Sequence, residues 1–455
     1  MSTIVTPSAK SHERVTGRWL QDIQVQSRKE WAVYYLKVVI GTPIPTLMVA
    51  YALLIFLSRA GLEMAAWACA TLTAIYIVAD RFSRTKEFRF FRIGYDLFLL
   101  GYVLMAILCA LFADTTMDGL ATLGGVRWVL LLYLITYCWE LFPGLNRIYY
   151  TMVGMASIAA GYGIWQHFTG VDLIRDTAVP SAPIAGHIYF MASSFLNTPE
   201  IFGTLLGMIL PFSAAAFLLF DRRDSGVERW IALGVSLLLS LAILWTYRPG
   251  IWMAAGAGII VTIILHGRNA LTLLGSAVVA FAIIYFGFYS SPENTIKTVF
   301  NGVKQSEVER AEKQRTQINS QVQIWLHQNE SPKSIWLGAG NKAIEIAGYD
   351  PGTGNVYFQV LAQSGVLGAG FYLLFLLGFL LATYRAFNEV PKSHYWHRVL
   401  LGGALGAQIA FHVAGLYWST LGEAHAINLF VMIVASVSYL SEHYGRGLVT
   451  DDACL

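Results

Sequence analysis

Twelve apolar stretches of about twenty residues dominate this chain of 455 residues. As helices, stretches of this length cross the ~30 Å hydrocarbon core of a bilayer. Only 13% of the residues are charged, whereas soluble proteins carry about 25%. The sequence therefore predicts a polytopic membrane protein, and it excludes an ordinary soluble enzyme or a disordered chain. The stretches lie at 41–58, 62–80, 93–113, 120–140, 148–167, 200–220, 230–247, 250–266, 270–290, 361–384, 399–418 and 424–441.

Lysine and arginine in the short loops predict the orientation of these helices, because cytoplasmic loops are enriched in both. With a cytoplasmic N-terminus, twenty basic residues fall inside, and the short outer loops hold only Arg59, Arg175 and Arg248. The first thirty residues are polar, so we expect no cleavable signal peptide. An even number of spans puts both termini in the cytoplasm.

The predicted spans divide the chain into five parts. They are a cytoplasmic N-terminal segment 1–40, helices one to nine at 41–290 with an outer loop 168–199, a large outer loop 291–360, helices ten to twelve at 361–441, and a cytoplasmic tail 442–455. Apolar residues at helical spacing predict an amphipathic helix over 303–327 in the large loop. Arg315 lies on its apolar stripe, where an arginine needs an anionic partner.

Several classes of function lack support in the sequence. The net charge of +3 is too small to indicate nucleic-acid binding. The four cysteines have no metal-type spacing, and the chain contains no Walker motif, no HExxH and no carboxylate-rich cluster. We therefore expect neither a metal nor a cofactor, and we expect membrane lipid to be a partner.

Arg248 is the most informative ionisable residue. It lies in the nearly absent turn between spans seven and eight, followed by Pro249 and Gly250, which begin the next helix. A helix N-terminus beside an arginine suits an anion such as phosphate, whereas an arginine snorkelling to lipid headgroups is the simpler alternative. Arg127, near the outer end of span four, either joins Arg248 in binding an anion or has a structural partner within its own helix.

Three further ionisable residues have simpler expected roles. His167 ends span five and is expected to make an interfacial hydrogen bond. His412 lies within a helix and is expected to be a core histidine whose hydrogen-bonding groups are satisfied. Glu200 begins span six, where its charge complements the helix dipole without any catalytic need.

Most of the chain, from about residue 90 to residue 440, resembles the O-antigen ligase and O-antigen polymerase group of bacterial membrane glycosyltransferases. The resemblance depends on the order of several short segments. They are Tyr162-Gly163-Ile164-Trp165-Gln166, Phe195-Leu196-Asn197-Thr198-Pro199, Tyr247-Arg248-Pro249-Gly250, Gly338-Ala339-Gly340, Asn355-Val356-Tyr357-Phe358-Gln359 and Ser364-Gly365-Val366-Leu367-Gly368. It implies an all-α, GT-C-like membrane fold of about twelve helices, with a helical periplasmic subdomain between helices nine and ten.

The resemblance also implies a reaction. Glycan leaves undecaprenyl diphosphate on the periplasmic side, by an inverting and metal-independent transfer to a saccharide or lipid A core acceptor. Arginines hold the diphosphate, and Arg248 matches the first of them. Gln321 stands in the slot of the loop arginine, so Arg315 or Arg310 is expected to substitute.

Gly354 stands where the family has its loop histidine. Either stabilisation of the leaving group makes a base unnecessary, or His187 or His327 supplies the base from another loop. The third alternative is a diverged polymerase or a member of the group without transferase activity. The expected substrate-binding residues are Arg127, Arg310, Asn355, Tyr357, Gln166, Asn197 and His187.

Two other functions fit twelve spans. A secondary transporter has the same layout, although the two halves show no similarity and the intramembrane charges are concentrated at the outer boundary. A peptidoglycan polymerase of the shape and division group needs a loop carboxylate as base, and Asp350 is the candidate near span ten.

Overall fold

A computed structural model describes most of the predicted helices. The described residues are 36, 38–83, 95–112, 116–141, 144–174, 179–184, 187–196, 198–219, 226–266, 332–338 and 355–445. Over these ranges the helices are α1 (Pro43–Leu54), α2 (Arg59–Ser83), α3 (Asp96–Leu111), α4 (Thr116–Gly125), α5 (Arg127–Leu141), α6 (Leu145–Thr169), α7 (Pro199–Leu219), α8 (Gly226–Leu244), α9 (Pro249–His266), α10 (Pro332–Leu337), α11 (Val356–Glu389), α12 (Tyr395–Gly415) and α13 (Ala424–Gly445), and the strands are β1 (Ser181–Ile184) and β2 (His187–Phe190).

A helix is present at eleven of the twelve predicted stretches, and the ninth, 270–290, lies outside the described residues. By length and composition, five of the described helices can cross a membrane: α2, α7, α8, α11 and α13. Four shorter helices, α1, α3, α5 and α9, are also apolar. The chain is thus a mostly helical, multi-pass membrane protein, and the number of twelve spans stays a prediction.

Three local features differ from the expectation. The stretch 120–140 contains the end of a short separate helix, α4, before α5 begins at Arg127. The loop 168–199 holds an antiparallel hairpin with Ser181 opposite Phe190, which the sequence did not predict, although the fold is otherwise helical as expected. Helix α11 begins at Val356, five residues before the predicted 361, because the side chain of Asn355 caps it.

Helix α7 forms the centre of the bundle. Its membrane-length window is entirely buried, and α8, α9 and α12 pack around it. Small residues permit this close packing, as is usual between membrane helices. A Cβ at Gly203 would lie 2.7 Å from the side chain of Ile251 on α9, and one at Gly403 of α12 would lie 2.7 Å from the Cα of Phe212.

Helix α3 lies at the periphery and exposes an apolar stripe. Five large residues recur along it at spacings of three and four, which places them on one face. They are Leu97, Leu100, Leu104, Ile107 and Leu111, each between 40% and 74% exposed. A stripe of this kind suits contact with lipid chains, in agreement with the membrane assignment.

Helix ends that are predicted to lie on the same side of the membrane contact one another. The ends predicted to lie outside, here called the Arg248 end, are in contact through pairs such as Arg127 with Glu63 and His425 with the carbonyl of Ile55. The opposite end joins segments predicted to lie inside, since Trp396 packs on the ring of Tyr149. Loops predicted to share a side of the membrane therefore lie at the same end of the bundle.

Helix α11 is broken at Gly365, which has a φ of 65° and a ψ of −173°. The backbone of α10 fills the break. A Cβ on Gly365 would collide with the carbonyl of Trp336, and one on Gly338 would lie 2.5 Å from the carbonyl oxygen of Gln363. The first segment of α11, residues 356–364, is thus a separate half-helix at the Arg248 end.

Candidate functional site

Arg248 lies in a tight reversal between α8 and α9. The three residues before it, Trp245, Thr246 and Tyr247, are buried, and the Thr246 hydroxyl donates to the carbonyl of Ile243 at 2.7 Å. Pro249 and Gly250 start α9, as the sequence predicts. The reversal therefore fixes Arg248 at the boundary of two helices.

Glu200, in the first turn of α7, is the partner of Arg248. The Nε of Arg248 lies 2.5 Å from Oε1 of Glu200, and the two side chains are 15% and 28% exposed. The expectation that Glu200 serves the helix dipole alone is incomplete, because its carboxylate also balances the buried charge of Arg248. Lipid headgroups are not needed to explain the position of this arginine.

The backbone beside Arg248 is strained at two positions. Ser194 and Tyr247 both have a φ of 52°, and they are the non-glycine residues with positive φ in the described part of the chain. Such conformations cluster at functional sites, where surrounding contacts hold them in place. The amide of Ala192 donates to the carbonyl of Trp245 at 2.9 Å, which joins the two strained segments.

Gln166 holds the first of these segments. Its side chain is fully buried, its Oε1 accepts from the Ser194 amide at 2.6 Å, and its Nε2 donates to the Ser194 carbonyl at 3.1 Å. The structure thus places Gln166 behind the site, where it fixes the backbone at residues 193–194.

Aromatic rings connect the loop after α6 to the Arg248 turn. His167 stacks on Trp245 with ring centroids 4.7 Å apart, and its Nδ1 lies 2.7 Å from the carbonyl oxygen of Phe190. Tyr189 of β2 lies 5.6 Å from the ring of Tyr247. His167 thus makes the hydrogen bond expected of it, and the hairpin packs directly on the residue before Arg248.

A turn after α12 closes the other side of the site. Trp418 donates from its indole nitrogen to Thr204 of α7 at 3.0 Å, one helical turn after Glu200. Gly250 lies two residues after Arg248, and a Cβ there would lie only 2.6 Å from the ring of Tyr417. The absence of a side chain at Gly250 therefore permits this ring to pack against the start of α9. Arg248 and Glu200 thus lie within a frame formed by α7, α9 and this turn.

The half-helix of α11 is attached to the same turn. Oδ1 of Asn355 accepts from the amides of Tyr357 and Phe358 at 2.8 and 3.4 Å, which caps the helix. The Tyr357 hydroxyl donates to the carbonyl of His412 at 3.1 Å, and the Ser419 hydroxyl donates to Gln359. Asn355 and Tyr357 therefore position the half-helix, and their roles toward a substrate remain predictions.

His412 and His187 lie in different parts of the structure. His412 lies in α12 and packs by its ring against Phe411 and Phe430, as expected of a core residue. Its Nε2 is buried without a hydrogen-bond partner among the described residues, so the expected hydrogen bonding is not found. For His187, the backbone lies in β2, and its side chain lies outside the described residues.

In the described part of the chain, Arg127 contacts Glu63 and makes no contact with Arg248 or Glu200. Its guanidinium donates to Oε1 of Glu63 at 3.0 Å. Glu63 belongs to α2, so the partner lies on another helix and not within the arginine's own helix. The large-loop residues Arg310 and Arg315, together with Asn197, His327, Gly354 and the helix expected at 303–327, lie outside the described residues.

Sequence reasoning missed three parts of the site: the pairing role of Glu200, the strain at Ser194 and the break at Gly365. Glu200 carries a readable signal, since it is an acidic residue in the first turn of the span that follows the outer loop. Over the described ranges, no group of three or more His, Cys, Asp or Glu side chains is placed to hold a metal ion.

These features define a multi-pass helical membrane protein with a half-buried arginine–carboxylate pair at one end. Residues 234–373 match the family model described as O-antigen ligase. The matched range includes Arg248 and the break at Gly365, and it confirms the resemblance found in the sequence. This part of the chain is therefore similar to the O-antigen ligase family. No match is found among curated proteins.

Proposed function

We propose that this protein is a glycosyltransferase that moves glycan from undecaprenyl diphosphate to a saccharide or lipid A core acceptor, as a polymerase or a ligase. The Arg248 end is assigned to the periplasmic face of the bacterial inner membrane, in line with the distribution of basic residues. The observation that carries this proposal is the position of Arg248, half-buried at a helix start within the range matched by the O-antigen ligase model.

The chemistry of such a transfer explains the arginine. The bond between the anomeric carbon and the phosphate oxygen breaks, and its electron pair stays on the departing diphosphate. The acceptor hydroxyl forms the new bond to the anomeric carbon with inversion, and its proton passes to a base, His187 or His327, or to the departing diphosphate. Because negative charge develops on the leaving group, a fixed guanidinium stabilises the transition state more than the ground state.

Replacement of Arg248 tests the proposal. The purified protein in lipid vesicles is given a lipid-diphosphate oligosaccharide with and without a saccharide acceptor, and products are separated by mass. We expect Arg248→Ala to lower kcat by about 10²- to 10³-fold, since one preorganised donor to a developing charge has that effect. Arg248→Lys should retain more activity because it keeps the charge but loses the planar fork.

The matched control is Arg385→Ala, which removes an exposed arginine at the opposite end of the bundle. This variant should transfer glycan at the wild-type rate. An Arg248→Ala variant that folds and transfers at the same rate as the control contradicts the assigned role.

A secondary transporter is the second candidate, favoured by the break in α11 at Gly365, since transporters use broken helices. Saccharide flux into proteoliposomes without any lipid-linked glycan discriminates between the two. Flux without product formation supports the transporter, and product formation without flux supports the transferase.

A further inference from the structure

The chain reverses its direction where α6 ends. Gly170 has a φ of 67°, and its amide donates to the carbonyl of Gln166 at 2.9 Å, which is a common way for a helix to end. A Cβ at Gly170 would lie 2.5 Å from the ring of Phe190, so the turn also requires glycine for space. The next four residues, Val171–Ile174, are here called the reversal segment.

Tyr162 holds the reversal segment against α6. Its hydroxyl donates to Oδ1 of Asp172 at 2.7 Å and accepts from the amides of Leu173 and Ile174 at 2.7 and 3.3 Å. Tyr162 precedes the helix end at Thr169 by about two turns, or about 10 Å along the axis. The reversal segment therefore runs back beside the last turns of α6 and does not extend away from the bundle.

The apolar side chains of the reversal segment face outward. Val171, Leu173 and Ile174 are 49%, 68% and 63% exposed, while the carboxylate of Asp172 is turned inward to the Tyr162 hydroxyl. A loop surrounded by water normally places its polar side chains outward. A contiguous exposed apolar patch of this kind marks an interaction surface.

The patch continues an exposed apolar face of α6. Ile158, Trp165 and Phe168 lie on one face of this helix, because they recur at helical spacing, and each is between 49% and 59% exposed. Residues 148–167 form a predicted span, so this face is expected to lie against lipid. Tyr162 is one turn before Trp165, which places the reversal segment close to that face. Indole rings are enriched at the depth where headgroups meet acyl chains.

The backbone donors of the reversal segment are paired within the chain. The amide of Val171 donates to the Thr169 hydroxyl at 3.3 Å, and those of Leu173 and Ile174 both donate to Tyr162. Acyl chains offer no acceptors, so a loop that enters lipid must satisfy its own backbone donors. This pairing favours lipid over water as the neighbour of the patch.

We propose that the reversal segment is an interfacial anchor, which inserts Val171, Leu173 and Ile174 between the headgroups and acyl chains of the leaflet at the Arg248 end. The partner is thus a lipid surface, which is contacted here by a loop and not by a membrane-spanning helix. The inference goes beyond the proposed transferase function and does not depend on it.

The anchor is joined to the hairpin β1–β2. Gly170 packs on the ring of Phe190 in β2, and the Nδ1 of His167 lies 2.7 Å from the carbonyl oxygen of Phe190. The neighbouring Tyr189 packs on Tyr247. A reversal segment seated in the interface therefore fixes the depth of the hairpin relative to the membrane.

Site-directed labelling tests the anchor in the full-length protein. An environment-sensitive fluorophore is attached at Ile174→Cys, in a Cys454→Ser background because Cys69, Cys109 and Cys138 are buried. The protein is placed in nanodiscs of phosphatidylethanolamine and phosphatidylglycerol, and quenching is measured with nitroxide lipids and with aqueous iodide. We expect stronger quenching by a nitroxide near the headgroup than by one deep in the acyl chain. Iodide quenching should be about threefold weaker than at the control site.

The matched control site is Ala60→Cys, at the exposed start of α2 on the same end of the bundle. A label there should be quenched by iodide and not by lipid. Leu173→Cys is a second reporter of the anchor and should behave as Ile174→Cys does. The proposal is overturned if iodide reaches positions 173 and 174 as readily as position 60, if neither quencher reaches them, or if lipid quenches all three labels alike.

Tyr162→Phe tests the bonds that turn the segment back along α6. Loss of the hydroxyl should release the reversal segment, so that iodide quenching at position 174 rises about threefold and lipid quenching falls. Tyr384→Phe, at an exposed tyrosine of α11, is the control and should leave both unchanged. Unaltered quenching in a folded Tyr162→Phe variant would overturn the role assigned to Tyr162.

Discussion

The charge of Arg248 is already balanced before any substrate arrives, because Glu200 lies 2.5 Å from its Nε. A diphosphate that binds Arg248 therefore competes with a carboxylate. Neutralising Glu200 removes this competitor and leaves the arginine with an unpaired charge, which increases its attraction for an anion. Glu200 thus has a function that its position at a helix start does not reveal.

We expect Glu200→Gln to bind inorganic pyrophosphate about tenfold more tightly than the wild type, measured by calorimetry on the protein in detergent. That change corresponds to about 1.4 kcal/mol. Glu389→Gln is the matched control, since it removes an exposed carboxylate at the opposite end of the bundle and should leave pyrophosphate affinity unchanged. Weaker binding by Glu200→Gln would show instead that Glu200 is needed to orient Arg248.

Glu423, between α12 and α13, has a pKa raised above its usual value because burial disfavours the charged form, while Arg59 lowers the pKa in part. A folded-state pKa above the unfolded one means that the ionised group destabilises the fold at neutral pH. This cost disappears as the pH falls to the usual pKa of 4.5 and below.

Glu423→Gln should therefore raise Tm at pH 7 by on the order of 1–2 °C, with the gain vanishing toward pH 4. Thermal unfolding across this pH range checks it, with the exposed Glu389→Gln as control. A gain that persists unchanged at acid pH would be inconsistent with titration of Glu423 as its cause.

The break in helix α11 requires a glycine at position 365. The backbone of Gly365 lies in a region that only glycine adopts readily, and α10 fills the space where a side chain would be. Gly365→Ala should thus destabilise the protein by about 1–3 kcal/mol and separate α10 from α11.

Gly370→Ala, on the same helix with open space around the added methyl, should be neutral or slightly stabilising. Thermal unfolding of both variants in detergent checks this pair. Equal stability of the two would contradict the packing of α10 against the break.

The sequence predicted most of the helices. Apolar runs of membrane length gave helices at eleven stretches, because a segment in lipid must satisfy its own backbone hydrogen bonds. The hairpin at 181–190 and the break at Gly365 were not predictable in the same way. Both depend on partners distant in sequence: the turn at Trp245 and Tyr247 for the hairpin, and the carbonyl of Trp336 for the break.

For the whole molecule, the sequence predicted the site only in part. Arg248 was found because charge is rare in a chain of this kind and because Pro249 and Gly250 mark a helix start. Its pairing with Glu200 depends on a contact between helices that are distant in sequence, and local patterns do not contain it. The pairing of Arg127 with Glu63 has the same origin, since the partners are 64 positions apart.

The complete burial of α7 has a consequence for biosynthesis. This helix leaves the ribosome long before α12, which packs against it most extensively. Until residues 395–415 have been made, the surface of α7 that packs against α12 can face only lipid or the insertion machinery. Assembly of the core therefore waits for the last helices of the chain, and a protein truncated before α12 presents that surface to membrane proteases.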